Sequence, residues 1–264
     1  MFAIVTDTSA NLDCSLLQQR NIAAIPFTFF VGGQEQTCTD TAGFDGPAFY
    51  SAMRSGTQVK TSQVSPQQYI DLFSPMLAMG QEILFVGMSS GISGSYHSAE
   101  IAAQQLKEVF PDARIRLVDT LSASLGEGLL VLEAADCRDR GMTLDETADR
   151  LMAMRHRMAQ VFTVEDLKYL RRTGRLSNVT ALVGMMLNIK PAARGTMKAR
   201  SSPSPARADE GNPIQGLAER YDALVRHPEQ QVVGIAHADC PEDAETLASL
   251  LRARPAQGDH DGIL

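Results

Sequence analysis

The sequence predicts an α/β protein built from two domains, and three observations lead to this class. The chain has 264 residues, more than one small domain usually needs. Up to about residue 158, short apolar segments alternate with segments of helical periodicity, which is the pattern of a parallel sheet flanked by helices. After residue 159 this alternation stops. We therefore predict a three-layer α/β/α domain with a mainly parallel sheet over residues 1–158 and a smaller two-layer α/β domain over residues 159–264.

The elements of the first domain follow from local patterns. Short, mainly apolar runs predict buried strands at residues 3–6, 22–27, 82–88 and 115–118. Apolar residues at helical spacing predict helices at residues 12–20, 44–53, 65–79, 96–110, 123–138 and 144–157. Ser65 and Pro66 form a typical helix start, and Gly141 is expected to separate the last two helices.

The elements predicted for the second domain are shorter. Strand-like segments occupy residues 160–163, 187–190, 196–199 and 231–237, and a basic helix is predicted around residues 168–172. The segment from Ser201 to Pro213 contains three prolines and several small polar residues. This composition is typical of a surface loop, so we expect no regular element there.

Charge and composition disfavour several classes of function. The chain carries 24 basic and 31 acidic residues, a formal net charge of −7 that disfavours nucleic acid as a partner. No apolar run approaches the roughly 20 residues that cross a bilayer. The first residues lack the basic region of a signal peptide, so a cytoplasmic protein is expected. The 4 cysteines are widely separated, so neither a zinc site nor a redox dithiol is predicted.

Four segments rich in hydroxyl groups are the candidate ligand-binding elements. Three of them each follow a predicted strand: Asp7–Ser9, Ser89–Ser95 and Asp119–Ser122. The fourth, Lys60–Gln63, precedes a predicted helix. The carboxyl ends of parallel strands share one edge of a sheet, so these loops are expected to converge. Hydroxyls and free N–H groups at helix starts bind anions without a cationic side chain. The alternative is that these serines and threonines only cap helices.

A serine esterase is a second hypothesis. Gly87–Gly91 fits the Gly-x-Ser-x-Gly pattern of a nucleophile elbow, between a predicted strand and a predicted helix. Ser89 would be the nucleophile, with Asp119 as the acid and His237 as the base, in the chain order of α/β hydrolases. An anion site formed by the backbone of the same turn explains the pattern equally well.

Taken together, these segments resemble the DegV family of bacterial fatty-acid-binding proteins, which includes the B subunits of fatty acid kinase. A set of ordered motifs is far more specific than any one of them. The motifs that carry the resemblance extend over nearly the whole chain: Ile4–Leu12, Thr61–Pro66, Ser89–Tyr96, Val118–Thr120, Asp166–Leu170, Gly174–Ser177 and Ile189–Pro191. The resemblance implies a non-enzymatic protein without a cofactor. It would hold one long-chain fatty acid, of palmitate or oleate type, between its two domains.

The resemblance also implies the residues of the ligand site. The carboxylate is expected to be held by Thr61, Ser62, Ser93 and the backbone of Gly94. Arg200 matches the position of the family's basic residue, and an arginine can pair a carboxylate through two hydrogen bonds. The apolar residues expected to line the acyl tunnel are Phe27, Phe29, Leu182, Met185 and Met186.

The role that the resemblance implies is presentation of the bound carboxylate to a separate ATP-dependent kinase subunit, which forms acyl phosphate for lipid metabolism. The sequence contains no Gly-x-x-x-x-Gly-Lys motif, as expected when the partner binds the ATP. Residues Gly258–Leu264 do not match the His-x-Gly-Pro-Gly segment usual in the family, so its last strand is expected to be missing. A lipid-responsive interaction protein without a kinase partner remains as an alternative.

Overall fold

The computed structural model describes residues 1–38, 43–164, 174, 188–189 and 212–254. Contacts between Cα atoms divide the chain into two compact units, Met1–Met158 and Ala159–Leu264. Both α-helices and a parallel sheet are present, so the predicted mixed α/β class is confirmed. That these units are the two domains 1–158 and 159–264 stays a prediction.

A four-stranded parallel sheet forms the centre of the first unit. Its strands, in the order β2–β1–β6–β7, are β1 (Ala3–Asp7), β2 (Ile22–Ile25), β6 (Ile83–Gly87) and β7 (Ile115–Asp119). Every residue of β6 is buried, because helices cover both faces of the sheet. β2 is shorter than predicted: it ends at Ile25, and the following Pro26 has no N–H group to donate to a ladder.

Helices cover the two faces of this sheet and complete three layers. One face packs against α1 (Cys14–Gln19), α5 (Leu125–Asp139) and α6 (Leu144–Met154), and the other packs against α3 (Pro66–Ala78) and α4 (Ser95–Val109). Side chains alternate along each strand, so Ile4 and Leu84 face the first layer whereas Val5 and Phe85 face the second. The predicted α/β/α arrangement is therefore present in this unit.

Local sequence signals fix the start of two of these helices. Ser65 and Gln68 form a capping box at the start of α3, next to Pro66. Thr143 and Glu146 form a second capping box at the start of α6. The predicted helix 144–157 changes into a 3₁₀ turn after Met154.

An antiparallel sheet, which the sequence did not predict, lies between β2 and α3 in chain order. It contains β3 (Thr28–Val31), β4 (Gln34–Thr37) and β5 (Val59–Ser62), in the order β4–β3–β5. Helix α2 (Gly46–Arg54) lies between β4 and β5 in the chain. Gly32 and Gly33 both have positive φ and form the turn between β3 and β4. The expectation that residues 60–63 form a loop is therefore wrong for 60–62.

The second unit is described only in part. Backbone pairing joins β8 (Thr163–Val164) to β9 (Asn188–Ile189), and α7 (Pro213–Leu224) contacts α8 (Pro241–Arg252). The predicted strand 231–237 is wrong, because Val233 alone forms a bridge there and Val232 is half exposed. The predicted elements 168–172 and 196–199 lie outside the described residues. Among the described helices, none is long and apolar enough to span a bilayer.

Candidate functional site

Three of the four hydroxyl-rich segments meet at the carboxyl ends of β1, β6 and β7. The Met88 N–H donates to Asp7 Oδ2 at 3.3 Å, which joins the end of β1 to the end of β6. Ser90 donates to Asp119 through both its backbone N–H (3.2 Å) and its hydroxyl (2.6 Å). The Ser89 N–H donates to the Ser122 carbonyl at 2.9 Å. The geometric expectation that these loops converge is therefore met.

The fourth segment is joined to the same edge through the start of α4. The Val64 N–H donates to Ser95 Oγ at 3.1 Å, and Gln63 Nε2 donates to Ser98 Oγ at 3.3 Å. A Cβ atom at Gly94 would collide with the side-chain amide of Gln63, so glycine allows this close approach. Hydrogen bonds thus join the segment after β5 to the N-terminal part of α4.

Ser93 and Gly94 lie at the N-terminus of α4, where backbone N–H groups and the helix dipole favour a negative charge. Ser93 is buried, and its Oγ lies 2.9 Å from Ser95 Oγ and accepts a hydrogen bond from the Ser95 N–H at 3.2 Å. Gly94 is exposed. The site therefore combines an exposed backbone with a hydroxyl whose position is fixed by its neighbours.

Thr61 and Ser62 are exposed residues of β5 and point to opposite faces of the antiparallel sheet. Thr61 lies directly opposite Phe29 of β3, so these two side chains share one face. The Phe29 ring makes edge contacts with Phe44 and Phe49, with centroids 5.9 and 5.6 Å away. A hydroxyl group and a cluster of half-buried aromatic rings therefore lie on the same face.

Of the other residues predicted for the acyl tunnel, only Phe27 is described, and it does not belong to this cluster. Phe27 packs against the buried residues beneath α3 and α4, and its N–H donates to Thr8 Oγ1 at 3.0 Å. Leu182, Met185, Met186 and the basic residue Arg200 lie outside the described residues.

The geometry of Ser89 gives little support to the esterase hypothesis. Ser89 is fully buried, and its Oγ accepts a hydrogen bond from the Gly91 N–H at 3.2 Å. Its φ is not positive, although a nucleophile elbow requires a strained turn at the serine. His237 belongs to the second unit, is exposed, and accepts a hydrogen bond from the Cys240 N–H at 3.3 Å.

A buried acidic cluster beside these loops was missed by sequence reasoning. Asp7 and Glu127 are 1% and 0% exposed, and the Ser9 hydroxyl contacts both carboxyl groups. Burial raises the pKa of Asp7, against the effect of hydrogen bonds from Ser9 and Met88. Burial and then the charge of Asp7 raise the pKa of Glu127 well above its ordinary value. The available sequence signal was that Glu127 lies between two glycines in the mainly apolar segment 125–135.

Comparisons with known proteins bear on this arrangement. A sequence model of the DegV family matches residues 1–261. The chain belongs to the DegV family. A DegV domain-containing protein of Clostridium perfringens is 32% identical over 253 residues, which cover 96% of this chain and 87% of the relative.

Two solved structures of DegV proteins share the fold. One, from Ruminococcus gnavus, contains vaccenic acid. Its TM-score is 0.75 at 20% identity, and the match covers 100% of the present chain and 92% of the R. gnavus chain. The other is a fatty-acid-binding DegV protein from Thermus thermophilus, with a TM-score of 0.71 at 22% identity. This match covers 100% of the present chain and 91% of the T. thermophilus chain. These DegV relatives thus carry fatty acids as ligands. Within the described part of the present chain, no group of three or more His, Cys, Asp or Glu residues is arranged to hold a metal ion.

Proposed function

We propose that this DegV protein binds one long-chain fatty acid of the palmitate or oleate type. One observation in particular supports this function. Thr61 shares a sheet face with the aromatic cluster of Phe29, while the same strand end is bonded to the N-terminus of α4. The proposed carboxylate site would therefore adjoin an apolar surface, which is the combination that a fatty acid requires.

The head group would be bound by hydroxyl and backbone donors. The hydroxyls of Thr61, Ser62 and Ser93 would donate to the carboxylate, together with the backbone N–H of Gly94. Hydrogen bonds to a charged group are worth about 1.5–3 kcal/mol each, so a few of them fix the orientation of the ligand. Arg200 would add a bidentate ion pair.

The acyl chain would supply most of the affinity. Burying about 15 methylene groups at roughly 0.8 kcal/mol each gives about 12 kcal/mol before the costs of association and ordering. We propose that the acyl chain contacts five apolar residues: Phe27, Phe29, Leu182, Met185 and Met186. Because the hydrophobic term is not directional, acyl length and unsaturation would be set by the shape of this lining.

We further propose that the protein presents the bound carboxylate to a separate ATP-dependent kinase subunit in the cytoplasm. Three of the proposed head-group residues are exposed in the described part of the first unit: Thr61, Ser62 and Gly94. A carboxylate held there would be accessible to a partner protein. The chain would bind and orient the acyl group without catalysing its phosphorylation.

Titration of the purified, delipidated protein with cis-parinaric acid and oleate tests the proposed site. Thr61→Val and Ser93→Ala are each expected to weaken binding by roughly tenfold or more, the value of one charge-assisted hydrogen bond. Thr37→Val is the matched control, since Thr37 is an exposed threonine on β4, the other neighbour of β3. Unchanged affinity in both site variants would overturn the assignment of these residues.

A separate assay tests the kinase step. With a cognate kinase subunit and ATP, the oleate-loaded protein is expected to yield acyl phosphate, trapped as the hydroxamate. Binding without acyl phosphate across a panel of such kinases would instead favour the lipid-responsive interaction protein.

A further inference from the structure

The Asp7–Ser9–Glu127 cluster has a hydrogen-bonding pattern that two ionised carboxylates cannot satisfy. Ser9 Oγ lies within hydrogen-bond distance of Asp7 Oδ1 and, at 2.6 Å, of Glu127 Oε2. A serine hydroxyl has one hydrogen and can donate to only one of these oxygens. The other contact needs a hydrogen from a carboxyl group, so the cluster holds one additional proton.

The surrounding donors indicate which carboxyl group carries that proton. Asp7 accepts backbone hydrogen bonds from Ser9 (2.9 Å) and from Met88 (3.3 Å), and such bonds favour the ionised form. Glu127 accepts a hydrogen bond from the Thr6 hydroxyl at 3.2 Å, receives none from a backbone N–H among the described residues, and is completely buried on α5. Burial without a compensating cation favours the neutral acid. The raised pKa of Glu127 agrees with this choice.

Two ionisable groups interact with Glu127 electrostatically, and they come from two different elements. Asp7 on β1 is the one whose charge acts on Glu127, and Tyr69 on α3 is a neighbour on which the charges of both carboxyl groups act. The Tyr69 hydroxyl is buried and has no hydrogen-bond partner among the described residues. A tyrosine is neutral or anionic, so it cannot offset the negative charge of the cluster. The charges of Asp7 and Glu127, after burial, raise the pKa of Tyr69. No cation is among the causes that shift the pKa of Glu127 within the described structure.

We propose that Glu127 is a positioning residue that carries a proton in the folded protein and fixes the loop leading to Ser93 and Gly94. Glu127 donates to Ser9 Oγ, the Ser9 hydroxyl donates to Asp7, and Asp7 accepts the N–H of Met88. Met88 directly follows β6 and begins the segment that ends at the start of α4. The effect on the ligand rests on the proposed function, whereas the proton and the loop contact do not.

Conservative and apolar variants of Glu127 separate these roles. The Glu127→Gln variant keeps a neutral donor toward Ser9 and cannot ionise, whereas Glu127→Leu removes the donor at similar volume. Glu133→Gln is the matched control, because Glu133 lies on the same helix but forms ion pairs with Arg140 and Arg150. Three quantities are measured at neutral pH: the infrared carbonyl band of protonated carboxyl groups, the exchange rate of the Met88 amide, and the affinity for cis-parinaric acid.

The wild type and Glu133→Gln are expected to show the protonated-carboxyl band, and Glu127→Gln to lose it. Glu127→Gln should retain slow exchange at Met88 and an affinity within about twofold of wild type, whereas Glu127→Leu should accelerate that exchange and weaken binding roughly fivefold, as expected for one lost hydrogen bond. A wild type without the band, or Glu127→Leu with unchanged Met88 exchange, would overturn the proposal. Failure of every protein to bind the probe would overturn the proposed function alone, since the band and the exchange rate do not depend on ligand.

Discussion

Replacement of Ser95 by alanine tests how the end of β5 is joined to the start of α4. Ser95 is 1% exposed, and its Oγ accepts the hydrogen bond of the Val64 N–H at 3.1 Å. Val64 is itself 1% exposed, so in the Ser95→Ala variant this N–H would have neither its acceptor nor water. An unsatisfied buried donor costs about 1–3 kcal/mol, and we expect a loss near 2 kcal/mol.

Urea denaturation followed by circular dichroism measures this loss as a lower free energy of unfolding. Ser74→Ala is the control, because Ser74 also lies in a helix but its hydroxyl only donates to the Ile70 carbonyl within α3, at 2.7 Å. The free energy of unfolding of Ser74→Ala should stay within about 0.5 kcal/mol of the wild-type value. A Ser95→Ala variant as stable as the control would refute the claim that this hydrogen bond joins the two segments.

Three further changes probe the core and the acidic cluster. The raised pKa of Glu127 means that the folded protein keeps a proton that the unfolded chain releases, so the free energy of unfolding falls as pH rises from the ordinary glutamate pKa toward the pKa in the folded state. Denaturation curves recorded across this pH range should show that Glu127→Gln removes the part of the slope due to Glu127 and leaves the part due to the raised pKa of Asp7. Phe73→Ala should cost about 3–5 kcal/mol in the same assay, because Phe73 is fully buried against Tyr69 and Phe85; a loss below about 1 kcal/mol would show that the site collapses around the cavity. Gly128→Ala should cost about 1–3 kcal/mol, since its Cβ would lie 2.6 Å from the Ala10 carbonyl oxygen, and a wild-type melting curve would contradict that close contact.

The parallel sheet and its helices could be predicted because their residues are buried in a regular pattern. β6 is apolar at every position except its terminal glycine, and α3 begins with the Ser65–Pro66 signal. The antiparallel sheet gave no such pattern, since β4 is polar and exposed along its whole length. The Gly32–Gly33 pair was the only local indication of the β3–β4 hairpin, and its meaning depends on strands that the pattern did not reveal.

The candidate site shows the same division between local and long-range information. Hydroxyl residues at strand ends and helix starts, such as Ser93, stand out in the sequence because their positions follow from single elements. The joining contacts depend on the tertiary fold: Val64 reaches Ser95 across 31 positions, and Ser9 reaches Glu127 across 118. Periodicity does not contain such pairings, so Glu127 could be noticed only as a charged residue in an apolar run.

Native mass spectrometry of the purified protein tests the central claim most directly. After organic extraction, the released small molecule is identified, and the emptied protein is offered palmitate and oleate. The account predicts a mass increase of one long-chain fatty acid per chain, lost on extraction and restored by the added lipid. A protein that is purified empty and takes up neither fatty acid would contradict it.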